Sequence, residues 1–307
     1  MSARLTGLIA APFTPMREDG AVWLEQIEVQ AAALAASGVS GGFVCGSTGE
    51  SLSLTVPERK QVTERWVASA PDGLAVIAHV GHNCLAESQA LAAHAQEAGA
   101  AAIGAMPPCF FKPATLDALV DWCAAVAAAA PDLPFYYYHI PSMTGVDIFV
   151  AELLEAAADR IPTLAGVKFT YENLLDFSRC VQLGGGRFNM LFGRDEILLA
   201  GLALGADGAV GSTYNFSAPL YLRIIEAFEA GDIAAARAAQ ARAGEIIVAL
   251  LKYGGMPAFK AVMAMIGVDC GPVRPPLRPL TPERSRSLRT DLERLGFFDD
   301  CNRRPGP

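Results

Sequence analysis

The stretch that decides the fold runs from Phe135-Tyr-Tyr-Tyr-His139 to Leu164-Ala-Gly-Val-Lys168. Two short apolar runs flank a helical pattern near 148–158. Runs of this length, rich in aromatic and branched residues, read as strands buried on both faces. A strand, a helix and a second strand form one unit of a parallel sheet.

Outward from this pair the unit repeats in both directions. Further strands are predicted at 7–13, 41–45, 74–79, 101–106, 188–192 and 208–211, making eight in all. Helical patterns lie near 25–37, 57–70, 87–98, 115–130, 172–183 and 195–204. In 115–130, Leu116, Leu119, Val120, Cys123 and Val126 share one face. Thr55-Val-Pro-Glu58 opens the 57–70 helix with the pattern of a capping box. Eight strands, each followed by a helix, predict an α/β fold, a (β/α)8 TIM barrel. The main rival is a doubly wound open sheet. It usually carries a GxGxxG turn after its first strand, where this chain has Phe13-Thr-Pro-Met16. After Asn215 only helices are predicted, near 217–230, 233–252, 256–267 and 282–295. The expected organisation is a barrel over 1–230 and a C-terminal helical extension over 231–307. The proline-rich segment 271–282 reads as a strap crossing the extension rather than a linker.

Composition limits the function. The chain has 307 residues, is 52% hydrophobic and carries a net charge of −8. That excludes disorder, and without a basic block it excludes a nucleic-acid partner. The longest uncharged stretch, 29–49, is interrupted by serine and paired glycines, so no membrane partner is expected. Residues 5–14 run into Pro12 and Pro15 without a small-x-small cleavage site and read as a first strand, not a signal. Seven cysteines with no CxxC spacing point to reduced thiols, a cytoplasmic setting and no zinc site. Cys45 stands apart because it adjoins a glycine-rich loop. There are only five lysines. Lys60, Lys112, Lys252 and Lys260 fall in helical or loop settings that ask for no function.

Lys168 differs, because it ends an apolar strand. The carboxyl ends of barrel strands carry the active site. An inward lysine there loses stabilisation of its charge, so its pKa falls. A partly neutral amine attacks ketones and forms a Schiff base. Alternation along the fifth strand puts Tyr136 and Tyr138 on one face, Tyr137 and His139 on the other. Tyr138 beside Lys168 could move protons, whereas His139 should point into the strand–helix layer. Ser47 and Thr48 lie in the turn Gly46-Ser-Thr-Gly49, whose N–H groups could hold a small carboxylate. Asp195-Glu196 could bind hydroxyl groups or cap the following helix. No histidine accompanies this pair, so a metal is not expected.

Taken in order, these segments resemble the N-acetylneuraminate lyase and dihydrodipicolinate synthase family of class I aldolases. The likeness runs from Gly7-Leu-Ile-Ala-Ala-Pro-Phe-Thr-Pro15 to the final helix. Tyr136-Tyr-Tyr-His-Ile-Pro141, Gly166-Val-Lys-Phe169, Asn173-Leu-Leu-Asp-Phe177 and Gly208-Ala-Val-Gly-Ser-Thr-Tyr-Asn215 look like its lyase branch.

The resemblance implies Lys168 as the Schiff-base lysine and Tyr138 as the proton-transferring phenol. It implies that Ser47 and Thr48 hold the carboxylate of the pyruvoyl part, and that Thr170 lies near the hydroxyl whose proton moves. Gly193, Asp195, Glu196 and Ser212 would bind a sugar's hydroxyl tail. Pyruvate and a 2-keto sugar acid are the implied small-molecule partners, with reversible cleavage of a sialic acid as the expected reaction; the alternatives are another pyruvate-dependent class I aldolase or hydro-lyase of the same family and a barrel that only binds sugar acids. No cofactor is implied, and a homotetramer is. Met143 stands where the synthase branch has an arginine, and Phe110 and Phe111 stand where it has a tyrosine. Both departures favour the lyase branch.

Overall fold

The computed structural model describes residues 4–302. Eight strands form a closed barrel in chain order: β1 (Gly7–Ala10), β2 (Gly41–Val44), β3 (Ala75–His79), β4 (Ala102–Ala105), β5 (Phe135–His139), β6 (Leu164–Phe169), β7 (Asn189–Phe192) and β8 (Gly208–Gly211). All neighbours are parallel, and β1 closes on β8. The expected (β/α)8 barrel is therefore the fold.

Between strands run α1 (Gln26–Ala36), α2 (Val56–Ser69), α3 (Leu85–Ala98), α4 (Leu116–Ala127), the short α5 (Pro141–Thr144), α6 (Val150–Ala157), α7 (Leu174–Gln182) and α8 (Leu198–Ala203). Then follow α9 (Tyr214–Glu229), α10 (Ile233–Leu251), α11 (Met256–Met265), α12 (Pro282–Arg294) and α13 (Phe297–Asp300). The capping box predicted for α2 is present. Glu58 N–H donates to Thr55 Oγ1 at 3.3 Å, and Thr55 N–H donates to Glu58 Oε2 at 2.8 Å.

The strands are buried on both faces, and alternation divides the core in two. Ile9, Phe43, Ile77, Tyr136, Tyr138, Leu191 and Val210 fill the barrel. Leu8, Val44, Tyr137, Val167 and Phe192 face the helices. His139 is fully buried and packs its ring on Phe169 and Tyr171, away from the barrel axis, as alternation predicts. Burial brings its pKa down to about 4.

Strand ends deviate from expectation for local reasons. β1 was expected to reach residue 13 but ends at Ala10; Pro12 has no N–H to donate. β2 stops before Cys45, whose φ of 56° lies in the left-handed region.

Helix α9 breaks at Ser217, just before Pro219. Asn302 satisfies the freed backbone. Its side-chain amide donates to the carbonyls of Tyr214 and Asn215, both at 3.0 Å, and its Oδ1 accepts from Ala218 N–H at 2.7 Å. The tail is thus tied beneath the end of β8.

The proline-rich strap crosses back over the barrel mouth. Cys270 O accepts from Met16 N–H, and Arg274 donates to Gly20 O, Ser53 O and the Glu58 carboxylate. No single helix among the described residues is long and apolar enough to cross a membrane.

Candidate active site

The carboxyl ends of β2, β5 and β6 meet at one point. Strand register places Tyr138 directly beside Lys168. Tyr138 points into the barrel with Tyr136, and Lys168 lies between Val167 and Phe169, which face the helices. Lys168 is only 4% exposed. Its Nζ lies 3.6 Å from the centre of the Tyr138 ring and 4.7 Å from that of Phe43. Among the described residues no carboxylate lies within ion-pair distance of it. Burial lowers its pKa from the ordinary 10.5, partly offset by Tyr138 and Asp195. An amine held this way has a reactive neutral fraction at a lower pH than a surface lysine would.

Ser47 completes the cluster, its hydroxyl lying 3.1 Å from the Tyr138 hydroxyl. The turn carrying Ser47 and Thr48 is bracketed by two non-glycine residues in the left-handed region, Cys45 (φ 56°) and Glu50 (φ 61°). Such residues cost of order 1–3 kcal/mol each and persist where surrounding contacts impose them. Here those contacts are visible. Thr14 Oγ1 donates to Gly49 O at 2.7 Å, and His79 Nδ1 lies 3.0 Å from Cys45 O. Among the described residues, neither the Ser47 nor the Thr48 N–H reaches a backbone carbonyl. Both remain free for an anion.

The other side of the mouth is built by β6, β7 and β8. Thr170 follows β6, and its Oγ1 is buried without a hydrogen-bond partner. A Cβ on Gly193 would lie 2.0 Å from that oxygen, so only glycine lets the Thr170 hydroxyl stand there. Asp195 Oδ2 accepts from Thr213 N–H at 3.0 Å and from Thr213 Oγ1 at 2.5 Å. That oxygen is committed to the turn into α9, so Asp195 shapes the mouth rather than presenting a free carboxylate. Glu196 does present one. Its Oε2 is buried without a hydrogen-bond donor, with Arg194 Nε 3.7 Å away. Burial, reinforced by Asp195, raises its pKa. Ser212 is half-buried in the turn after β8, and its carbonyl accepts from Asn215 Nδ2 at 2.8 Å. Asn215 itself spans to Ala11 O and serves the backbone.

Met143 on α5 and Phe110 and Phe111 after β4 are exposed, at 64%, 76% and 85%. A cavity of about 670 Å³ opens at the opposite, amino end of the barrel beside Arg4, Tyr136 and Asn189. No lysine, histidine or cysteine lines it.

The sequence reading missed three groups around the mouth. Lys260, expected to be an ordinary helix lysine, is 3% exposed. Its ammonium pairs with Glu50 at 2.7 Å and donates to Thr14 O and Pro272 O. This pair pins the strap and α11 to the end of the Ser47 turn. The other two, Arg59 and His79, lie behind the same turn. Helical spacing could have found Arg59, since it shares the buried face of α2 with Val62, Thr63 and Trp66.

Residues 4–295 match the Dihydrodipicolinate synthetase family. The chain is 45% identical to N-acetylneuraminate lyase of Mus musculus over 99% of its own length and 96% of the mouse chain. It superposes on N-acetylneuraminate lyase of Proteus mirabilis with a TM-score of 0.93 at 43% identity, covering 96% of this chain and 100% of that one. A catalytic lysine mutant of the Ruminococcus gnavus sialic acid aldolase superposes with a TM-score of 0.91 at 31% identity, covering 96% of both chains. With a family match over almost its whole length and an eight-stranded barrel of the same shape, the chain belongs to the Dihydrodipicolinate synthetase family.

Proposed function

We propose that this protein cleaves N-acetylneuraminate reversibly to N-acetylmannosamine and pyruvate, through a Schiff base on Lys168. The observation that carries this reading is the buried Lys168 amine, lying on the Tyr138 ring with no carboxylate paired to it. The identity to lyases from several vertebrates supports the choice of sugar acid.

The cycle runs in these steps. The neutral Lys168 amine attacks the C2 ketone of the open-chain acid, and loss of water gives the iminium. Ser47 and Thr48 hold the C1 carboxylate through the free N–H groups of their turn. The 4-hydroxyl loses its proton to Tyr138 or to that carboxylate, and the C3–C4 bond breaks. The iminium takes the electron pair and becomes an enamine. Protonation at C3 and hydrolysis release pyruvate and restore the amine. The Ser47–Tyr138 contact gives the phenol a route for its proton.

The unpartnered Thr170 hydroxyl and the Glu196 carboxylate, which accepts no hydrogen bond at its Oε2, are the groups offered to the sugar hydroxyls. Asp195, Gly193 and Ser212 shape the same wall. A homotetramer in the cytoplasm is the assembly and setting that accompany this reading.

Pyruvate release from N-acetylneuraminate tests the assignment, together with a panel of aldehydes offered with pyruvate. N-Acetylmannosamine should be condensed far better than glyceraldehyde or the aspartate-derived aldehyde. Equal or lower turnover of N-acetylmannosamine would overturn the assignment.

A further inference from the structure

Arg59 is buried completely, yet no carboxylate pairs with it among the described residues. It lies in the first turn of α2, where the helix dipole already disfavours a cation. A guanidinium does not lose its proton in a protein, so the charge is permanent.

The guanidinium meets only neutral groups. It donates to His79 O at 2.6 Å and to Gly81 O at 2.9 Å, and its Nη2 lies 3.2 Å from His79 Nδ1. Its Nε has no partner. His79 cannot supply the missing negative charge. Burial, with Arg59 and Lys168 nearby, holds its pKa well below 6.5 and leaves it neutral. Met106 N–H donates to its Nε2, so its Nδ1–H is the donor to Cys45 O. The Cys45 thiol also stays neutral, because burial pushes its pKa up to about 11.

Two other cations around the Ser47 turn are balanced. Lys260 pairs with Glu50, and Arg274 pairs with Glu58. Lys168 keeps its positive charge as the iminium, but on the bound substrate rather than behind the turn. Among the described residues Arg59 is therefore the uncompensated positive charge behind the turn, with His79 between them. The turn itself, Gly46-Ser-Thr-Gly49, contains no charged side chain.

We propose that Arg59 is the buried countercharge of the substrate's carboxylate, acting through the His79-braced turn without touching the ligand. This rests on the reading of Ser47 and Thr48 as the carboxylate's holders. Arg59 is a positioning residue in this scheme: it sets the preference for a 2-keto acid over an uncharged ketone.

The test compares pyruvate with its neutral methyl ester as ketones for imine formation. Borohydride trapping on the full-length protein gives the half-saturating concentration of each. In the wild type pyruvate should saturate at the lower concentration. Arg59→Gln should raise the pyruvate value by about tenfold, the order expected for one charge acting within a partly buried site, and leave the ester unchanged. Arg59→Lys should restore the preference. Equal weakening of both ketones, or of neither, would overturn the proposal. If Arg59→Gln does not fold, Arg59→Lys carries the test, and loss of preference in that folded protein would be the contrary result. A wild-type preference that survives Arg59→Gln removes only the role of Arg59. A wild-type protein with no preference removes the carboxylate reading of Ser47 and Thr48 as well.

Discussion

Lys168 and Lys260 are the same residue type at nearly the same depth, 4% and 3% exposed, on the same end of the barrel. Their surroundings differ in one respect that decides their roles. Lys260 has a carboxylate, Glu50, and two backbone carbonyls on its ammonium. Lys168 has the faces of Tyr138 and Phe43. A buried ammonium with a partner is a strut, and one without a partner is poised to become a neutral nucleophile. Burial alone therefore does not identify the reactive lysine; the absence of a counterion does.

The sharpest way to break this contrast is to remove each amine in turn. Lys168→Met should abolish pyruvate release while leaving the thermal midpoint unchanged or raised, because an unpaired buried amine is removed. Lys260→Met should do the reverse. It strands the Glu50 carboxylate in the core, which should cost about 3 kcal/mol in denaturant unfolding. If the two variants behaved alike in stability, the distinction between strut and nucleophile would fail.

Tyr138→Phe comes next in size. It keeps the ring under the amine and removes only the hydroxyl. Turnover should fall by roughly 10²–10⁴-fold, with borohydride trapping of the imine largely kept. Loss of trapping in step with turnover would mean that the phenol places the lysine rather than moving protons.

A smaller effect concerns pH. Between the lowered value of folded Lys168 and 10.5, the unfolded chain holds a proton that the folded one lacks. Folding stability from this residue therefore rises with pH across that window. Lys168→Met should flatten the rise in chemical unfolding curves, and an unchanged slope would contradict the lowered pKa.

The smallest expected effect lies outside the lysines. Arg274 holds the Glu58 carboxyl down at about 2 from the usual 4.5. Its contribution is present above 4.5 and is lost as pH falls toward 2. Arg274→Ala should lower stability at neutrality in denaturant unfolding and flatten its fall between pH 4.5 and 2, so that variant and wild type converge at the acid end.

Much of this was legible before any coordinates. Strands read well because parallel strands buried on both faces leave continuous apolar runs, as in 135–139 and 208–211, whose limits match β5 and β8. Lys168 was legible because it ends an apolar strand, and Tyr138 because a strand's period of two fixes which face each side chain takes. The Lys260–Glu50 pair was not, since its members lie far apart in the chain and only the strap brings them together. Asp195 was ambiguous for a related reason. Its partner, Thr213, belongs to the next strand's turn, so nothing local to Asp195 announces that its oxygen is taken.

The central claim is that Lys168, and no other lysine, carries the substrate's ketone carbon. Incubation with pyruvate and borohydride, followed by peptide mapping, tests it most directly. The account predicts a reduced pyruvyl adduct on Lys168 alone, with Lys260 unmodified. An unmodified Lys168 in a protein that still releases pyruvate from N-acetylneuraminate would contradict it.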